Sequence, residues 1–210
     1  MKEYLTCAET AKLVRAALKR KFPQQKFSVR SDVYAGGASI RIHWMDGPTT
    51  KDVDAVVKCY AGGRFDGMID MAYSVSSWLM PDGSAIVADN PGSEGSRGVD
   101  PGYSNPKPRP DAVEVRFGAD YVFTERSYSV GAMRQTLEFL AKEYAMPEIA
   151  QLEIKPWGEK GEASLPQGWT MKIHERSLYE AVNRLHAEKS FQPKGEPTWH
   201  HHSLNEKRSV

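Results

Sequence analysis

Clustered lysine and arginine are the side chains here whose types and spacing best suit a chemistry, and that chemistry is the neutralisation of phosphate. The first thirty residues carry Lys2, Lys12, Arg15, Lys19, Arg20, Lys21, Lys26 and Arg30 against only Glu3 and Glu9. Arg15, Lys19 and Arg20 fall on one amphipathic segment, and Arg30, Arg41 and His43 fall on the polar side of an alternating one. Together these six are the candidate binding residues for nucleic acid or a partner. A surface neutralising about six phosphates would make log affinity fall with log salt at a slope near −5. The plainer account is a solvated helix face, since surface helices are routinely rich in lysine and arginine.

Other reactive types are present without a context that would use them. Cys59 and His43 could form a thiolate–imidazole pair only if the fold brought them within hydrogen-bond reach, and neither sits in a recognisable nucleophile motif. Asp46, Asp66 and Asp70 are acidic, but Asp46-Gly47 and Asp66-Gly67 read first as turns whose carboxylates bond nearby amides. His200, His201 and His202 lie in a polar tail that offers no rigid second shell for a metal. Gly36-Gly37 and Gly62-Gly63 do not make a phosphate loop. No catalytic residue, no metal ligand and no cofactor is expected.

Composition removes further classes. The chain has 210 residues with 28 basic and 27 acidic side chains, too balanced for a carboxylate-dense mimic of DNA. Two cysteines, Cys7 and Cys59, cannot build a disulfide framework. The absence of a long apolar run and of a leader-like start points to a cytoplasmic protein without a membrane partner.

The elements that must position these residues can be read from periodicity. Thr6-Cys-Ala-Glu9 has the spacing of a capping box, and Ala11, Val14 and Leu18 recur on one side of the helix that follows, which ends at Phe22-Pro23. Phe27 and Val29, then Ile40, Ile42 and Trp44, alternate with polar residues about Ala35-Gly36-Gly37, which predicts a hairpin. Arg30, Arg41 and His43 would face solvent, and the other face would pack on the first helix. Thr49 or Thr50 caps a second helix through Val53, Val56, Val57 and Tyr60, with Gly62-Gly63 as its stop. From Ile69 to Leu79 one strand is expected, with a short return strand through Ile86 and Val87.

Residues 89–111 are dense in Pro, Gly and Ser and predict a flexible insertion or arm. Tyr103, Lys107 and Arg109 are its candidate partner contacts, because a preformed extended backbone lowers the cost of docking. Beyond it Val113, Val115, Phe117, Tyr121 and Phe123 share one parity, read as a single bulged strand. Ser129 caps a helix through Met133, Leu137, Leu140 and Tyr144. Strands at Leu152–Ile154 and Trp169–Ile173, and a capping box at Ser177–Glu180, complete a β-β-α extension. The expected class is α+β: a mainly antiparallel sheet packed by helices, with a long Pro/Gly-rich insertion and this C-terminal extension. The expected parts are a domain over 1–129, the extension over 130–189 and a mobile tail over 190–210.

CAETAKLVRAALKRKFP, FSVRS, YAGGASIRIHW, DGP, FDGMID and VRFGADYVFTERSYS, in this order, resemble the twenty-ninth of the large polyvalent protein-associated domains, from about Thr6 to Ser129. That resemblance implies a small α+β domain carried by phages, plasmids and integrated conjugative elements, and it brings no catalytic residues. The leading expectation is a mobile-element accessory or anti-defence protein. It would bind a host protein or nucleoprotein complex stoichiometrically, such as an assembly of CRISPR or restriction immunity. The alternatives are a nucleic-acid-binding accessory protein for establishment or maintenance of the element, and an enzyme of unrecognised class.

Overall fold

The structure is a computed structural model; it describes residues 3–93, 104–157, 162–165, 171–173 and 176–190. Residues 94–103 of the arm, with Tyr103, and Trp169 and the tail with His200–His202 lie outside the described residues. The chain is α+β and divides into two compact units, Met1–Trp44 with Thr50–Glu125, and Met45–Thr49 with Arg126–Val210.

In the first unit, helix α1 (Cys7–Lys21) starts at the predicted capping box. The Thr6 hydroxyl accepts from the Glu9 amide, and the Glu9 carboxylate accepts from the Thr6 amide at 2.8 Å. The Thr6 hydroxyl, donating to Glu9 Oε2 at 2.7 Å, and then the Thr6 amide hold the Glu9 carboxyl below its ordinary range. Ala11, Val14 and Leu18 are buried, as their spacing requires. Strands β2 (Ser28–Tyr34) and β3 (Gly37–Met45) form the hairpin, with Gly36 at φ +90° in its turn. Helix α2 (Thr50–Val57) runs into a 3-10 turn, Lys58–Tyr60. Ile40, Ile42 and Trp44 from the sheet join Val53, Val57 and Tyr60 from this segment and the buried side of α1 in one core.

Several elements depart from the periodicity. Strand β1 (Glu3–Leu5), too short to carry a pattern, pairs in parallel with β8 (Val113–Phe117). The single strand expected from Ile69 to Leu79 is two. β5 (Met71–Ser74) pairs with β4 (Gly63–Asp66) as a separate hairpin, whereas β6 (Ser76–Leu79) joins β7 (Ala85–Asp89) and β8. The break falls at Val75, which is buried and donates its amide to Gly62 O at 2.9 Å.

The strand expected across Gly118-Ala119-Asp120 is also two. β8 belongs to the sheet ordered β1-β8-β6-β7, and β9 (Tyr121–Ser127) to the sheet ordered β2-β3-β9. The crossing is pinned by Gly118 N to Leu5 O at 2.6 Å, Asp120 N to Ala38 O at 2.8 Å, and Ala38 N to Asp120 Oδ2 at 2.9 Å. Gly62 and Gly63 serve this crossing rather than stopping α2. Their amides donate to Ala119 O and Asp120 O, and a Cβ on Gly62 would lie 2.1 Å from Phe117 O.

Both described roots of the arm are fastened. The buried carboxylate of Asp66 accepts from Ser93 N at 2.6 Å and from Met68 N at 2.9 Å. On the return side, Asn105 donates from Nδ2 to Val87 O, and Trp78 Nε1 donates to Asn105 O. Composition alone implied no such anchoring, because it rests on Asp66 and Trp78, which lie outside the arm's own repetitive stretch.

In the second unit, Ser129 caps α3 (Val130–Glu143) by accepting from Ala132 N at 3.1 Å, and a 3-10 turn follows at Pro147–Gln151. The strand expected at Leu152–Ile154 begins later, as β10 (Lys155–Trp157) paired with β11 (Glu162–Ser164). β12 (Lys172–Ile173) pairs with β13 (Arg176–Ser177), and α4 (Leu178–Glu188) opens at the predicted capping box. Met133, Leu137 and Leu140 pack with Ile149, Leu165, Ile173, Leu178, Val182 and Leu185.

Arg126 ties this unit together. Its guanidinium donates to Asp46 O, Gly47 O, His186 O and Lys189 O at 2.9–3.1 Å and lies 4.9 Å from the Tyr128 ring centroid. Two of those carbonyls belong to the end of α4, where a cation suits the helix dipole. The His186 ring stacks on Tyr128 at 3.6 Å and meets Thr136 Oγ1 at 2.9 Å through Nε2. Because the Thr136 hydroxyl donates to Ala132 O, Nε2 is assigned as the protonated nitrogen.

Candidate nucleic-acid interface

The outer face of the β2-β3-β9 sheet is assembled by strand register. Arg30 lies directly opposite Arg41, and Ser28 opposite His43, while Val29 and Ile42 are paired on the face that joins the core. Directly opposed residues of an antiparallel pair share a face, and like charges placed so are destabilising. Here two exposed guanidinium groups stand together, and among the described residues that of Arg30 makes no hydrogen bond or ion pair.

The third strand supplies aromatic rings. Arg41 Cζ is 5.6 Å from the Phe123 ring centroid, and Phe123 stacks on Tyr121 at 6.0 Å and 28°. Phe123 is 48% exposed and Tyr121 36%, whereas Val122 between them is buried. The β9 parity is thus the reverse of the expectation that places Tyr121 and Phe123 in one apolar set with Phe117. Sequence reading missed both as site residues for that reason. The signal that could have found them is the Gly118-Ala119-Asp120 crossing, which resets parity between two strands. Asp32 and Glu125 share the face by alternation and bound the patch with negative charge at its ends.

The other predicted cations go elsewhere. α1 covers the inner side of the sheet, so its basic residues do not extend the outer face. Arg15 Nη2 donates to Val29 O at 2.8 Å, Lys19 Nζ to Pro23 O at 3.2 Å, and Arg20 Nη1 to Asp82 O. The six-residue surface expected from sequence is therefore split, with Arg30, Arg41 and His43 on the sheet and Arg15, Lys19 and Arg20 on the helix side. In the arm, Lys107 is exposed, while Arg109 is held in a two-pronged pair with Asp111 at 2.9 and 3.0 Å.

The reactive side chains are committed to structure. Cys59 Sγ donates to Val56 O at 3.4 Å, and burial pushes its thiol up to about 11, so the thiolate needed for attack is scarce at neutral pH. Asp46 Oδ1 accepts from Ser129 N at 2.9 Å, and Asp66 accepts turn amides as described. Among the described residues no group of three or more His, Cys, Asp or Glu could hold a metal ion, and no helix is long and apolar enough to cross a membrane.

Comparison with known proteins returns one family. No curated protein and no solved structure matches the chain. The match to large polyvalent protein associated domain 29 covers residues 5–129, which includes the whole β2-β3-β9 sheet and both roots of the arm. The chain belongs to the large polyvalent protein associated domain 29 family, and with it to the proteins associated with phages and other mobile elements.

Proposed function

We propose that this chain is a non-catalytic accessory protein of a mobile element that binds single-stranded nucleic acid, free or within a nucleoprotein complex, on the outer face of the β2-β3-β9 sheet. The observation that carries the reading is the opposition of Arg30 and Arg41 beside the exposed Phe123–Tyr121 stack. Phosphate relieves the repulsion between the guanidinium groups, and exposed rings take bases at about 1–3 kcal/mol each. A duplex keeps its bases stacked on one another, so the face suits a single strand. Phe123→Ala is expected to weaken binding of a single-stranded oligonucleotide by about 5- to 150-fold and to leave weak duplex binding nearly unchanged. Equal affinity of wild type and Phe123→Ala for the single strand would refute the stacking role.

A second reading, stoichiometric binding of a host protein in an immunity assembly, is favoured by a different observation. The β4–β5 hairpin exposes Phe65, Met68, Ile69 and Met71, each by more than half. Contiguous exposed apolar side chains of this kind suit a protein contact. In a restriction-proficient host, expression of the chain should raise plasmid establishment, and Met68→Ser/Ile69→Ser should remove that gain. Equal protection by the variant would exclude the hairpin.

A further inference from the structure

On the helix side of the N-terminal unit, a cleft of about 840 Å³ opens between the last turn of α1, the segment from α2 to β4, and β7. That volume is within the range of small-ligand sites. The chain as a whole has 28 basic and 27 acidic residues, yet Arg20, Lys21, Lys58 and Arg64 line the cleft and, among the described residues, no carboxylate does. Such segregation of charge in a recess raises the local positive potential.

The cations are not equivalent. Lys58 Nζ is turned to Val122 O at 2.7 Å and to Asp54 at 3.7 Å, so its charge is largely committed. Arg64 is fixed in place, with Nη1 donating to Ala61 O at 3.0 Å and Gly63 O at 2.9 Å and Nη2 to Lys58 O at 3.2 Å. Arg20 is braced by its bond to Asp82 O. The Asp82 carboxylate accepts from the Ser84 hydroxyl at 2.6 Å and amide at 2.9 Å, and these bonds, with a smaller contribution from the charge of Arg20, hold it below its ordinary range. Held guanidinium groups lose little freedom when a phosphate docks. Val56 and Ile86 add an apolar wall, and Asn105, whose Nδ2 is bound to Val87 O, keeps its Oδ1 as an acceptor.

We propose that this cleft binds a phosphate ester of nucleotide size, its phosphates at Arg20, Lys21 and Arg64 and its apolar body against Val56 and Ile86. The site is separate from the outer face of the sheet and does not depend on it. The ester is either a free nucleotide or the phosphorylated end of a strand.

Calorimetric titration of the full chain with pyrophosphate, ATP and a 5′-phosphorylated oligonucleotide tests this, the last in an Arg30→Glu/Arg41→Glu background that removes the sheet face. Saturable binding is expected that weakens by on the order of tenfold in Arg20→Gln/Lys21→Gln. Ala55→Trp, at an exposed helical position lining the cleft, should block it sterically without disturbing the core. Arg41→Glu should leave binding of ATP unchanged, so failure of the strand-binding reading and failure of the cleft are told apart. Binding of ATP alone, or of the oligonucleotide end alone, upholds the site and assigns the source. Absence of saturable binding of every probe at millimolar concentration, or binding indifferent to both cleft variants, overturns it.

Discussion

His186 is neutral where most histidines exchange protons, and its setting explains why. Burial first, and then the nearby charge of Arg126, push its imidazole from the ordinary 6.5 down to about 3. Between those values the unfolded chain binds a proton that the folded unit refuses. The contribution is therefore complete above about pH 6.5 and is lost as pH falls toward 3, with a slope of at most about 1.4 kcal/mol per pH unit. Urea unfolding of the C-terminal unit at decreasing pH should show that slope. His186→Gln, though less stable at neutral pH through loss of the Tyr128 stack, should flatten it. Parallel slopes in the two proteins would show that some other group governs acid sensitivity. Nothing in the sequence around His186 marks it, because its partners Arg126, Tyr128 and Thr136 sit 50 or more positions earlier.

Local signals told most about the elements whose ends are chemically marked. The capping boxes at Thr6 and Ser177 and the cap at Ser129 each open a helix where expected. The β2–β3 hairpin follows its alternation, so Arg30 and Arg41 were legible as a pair on one face. What was not legible is where the chain changes sheets. Val113 to Phe123 keeps one parity in sequence, but the crossing at 118–120 delivers β8 and β9 to different sheets, and only long-range bonds to Leu5 and Ala38 reveal it. The same applies to Gly62, whose lack of a side chain answers a carbonyl 55 positions away. Gly62→Ala would set a Cβ 2.1 Å from Phe117 O and is expected to destabilise the N-terminal unit by about 1–3 kcal/mol or more. Thermal denaturation measures this, and a wild-type midpoint would mean that the crossing is looser than the structure shows.

At the scale of the whole molecule, the N-terminal unit divides its positive charge between two places that differ in kind. The outer sheet face pairs guanidinium groups with exposed rings and is open, as a strand of varying sequence requires. The cleft on the helix side is a recess in which Arg20 and Arg64 are fixed to backbone carbonyls, as suits a small ligand. The apolar β4–β5 hairpin is a third surface, chemically suited to protein. Family membership accounts for the company this chain keeps, and the sheet face for the act proposed for it. The direct test is fluorescence-anisotropy titration of a single-stranded oligonucleotide against the full chain over a range of salt, in wild type and in Arg30→Glu/Arg41→Glu. Wild type is expected to bind with a negative salt slope, and the double variant to bind far more weakly with a slope shallower by about 1.4, two phosphate contacts' worth. Undiminished affinity and an unchanged slope in the double variant would contradict it.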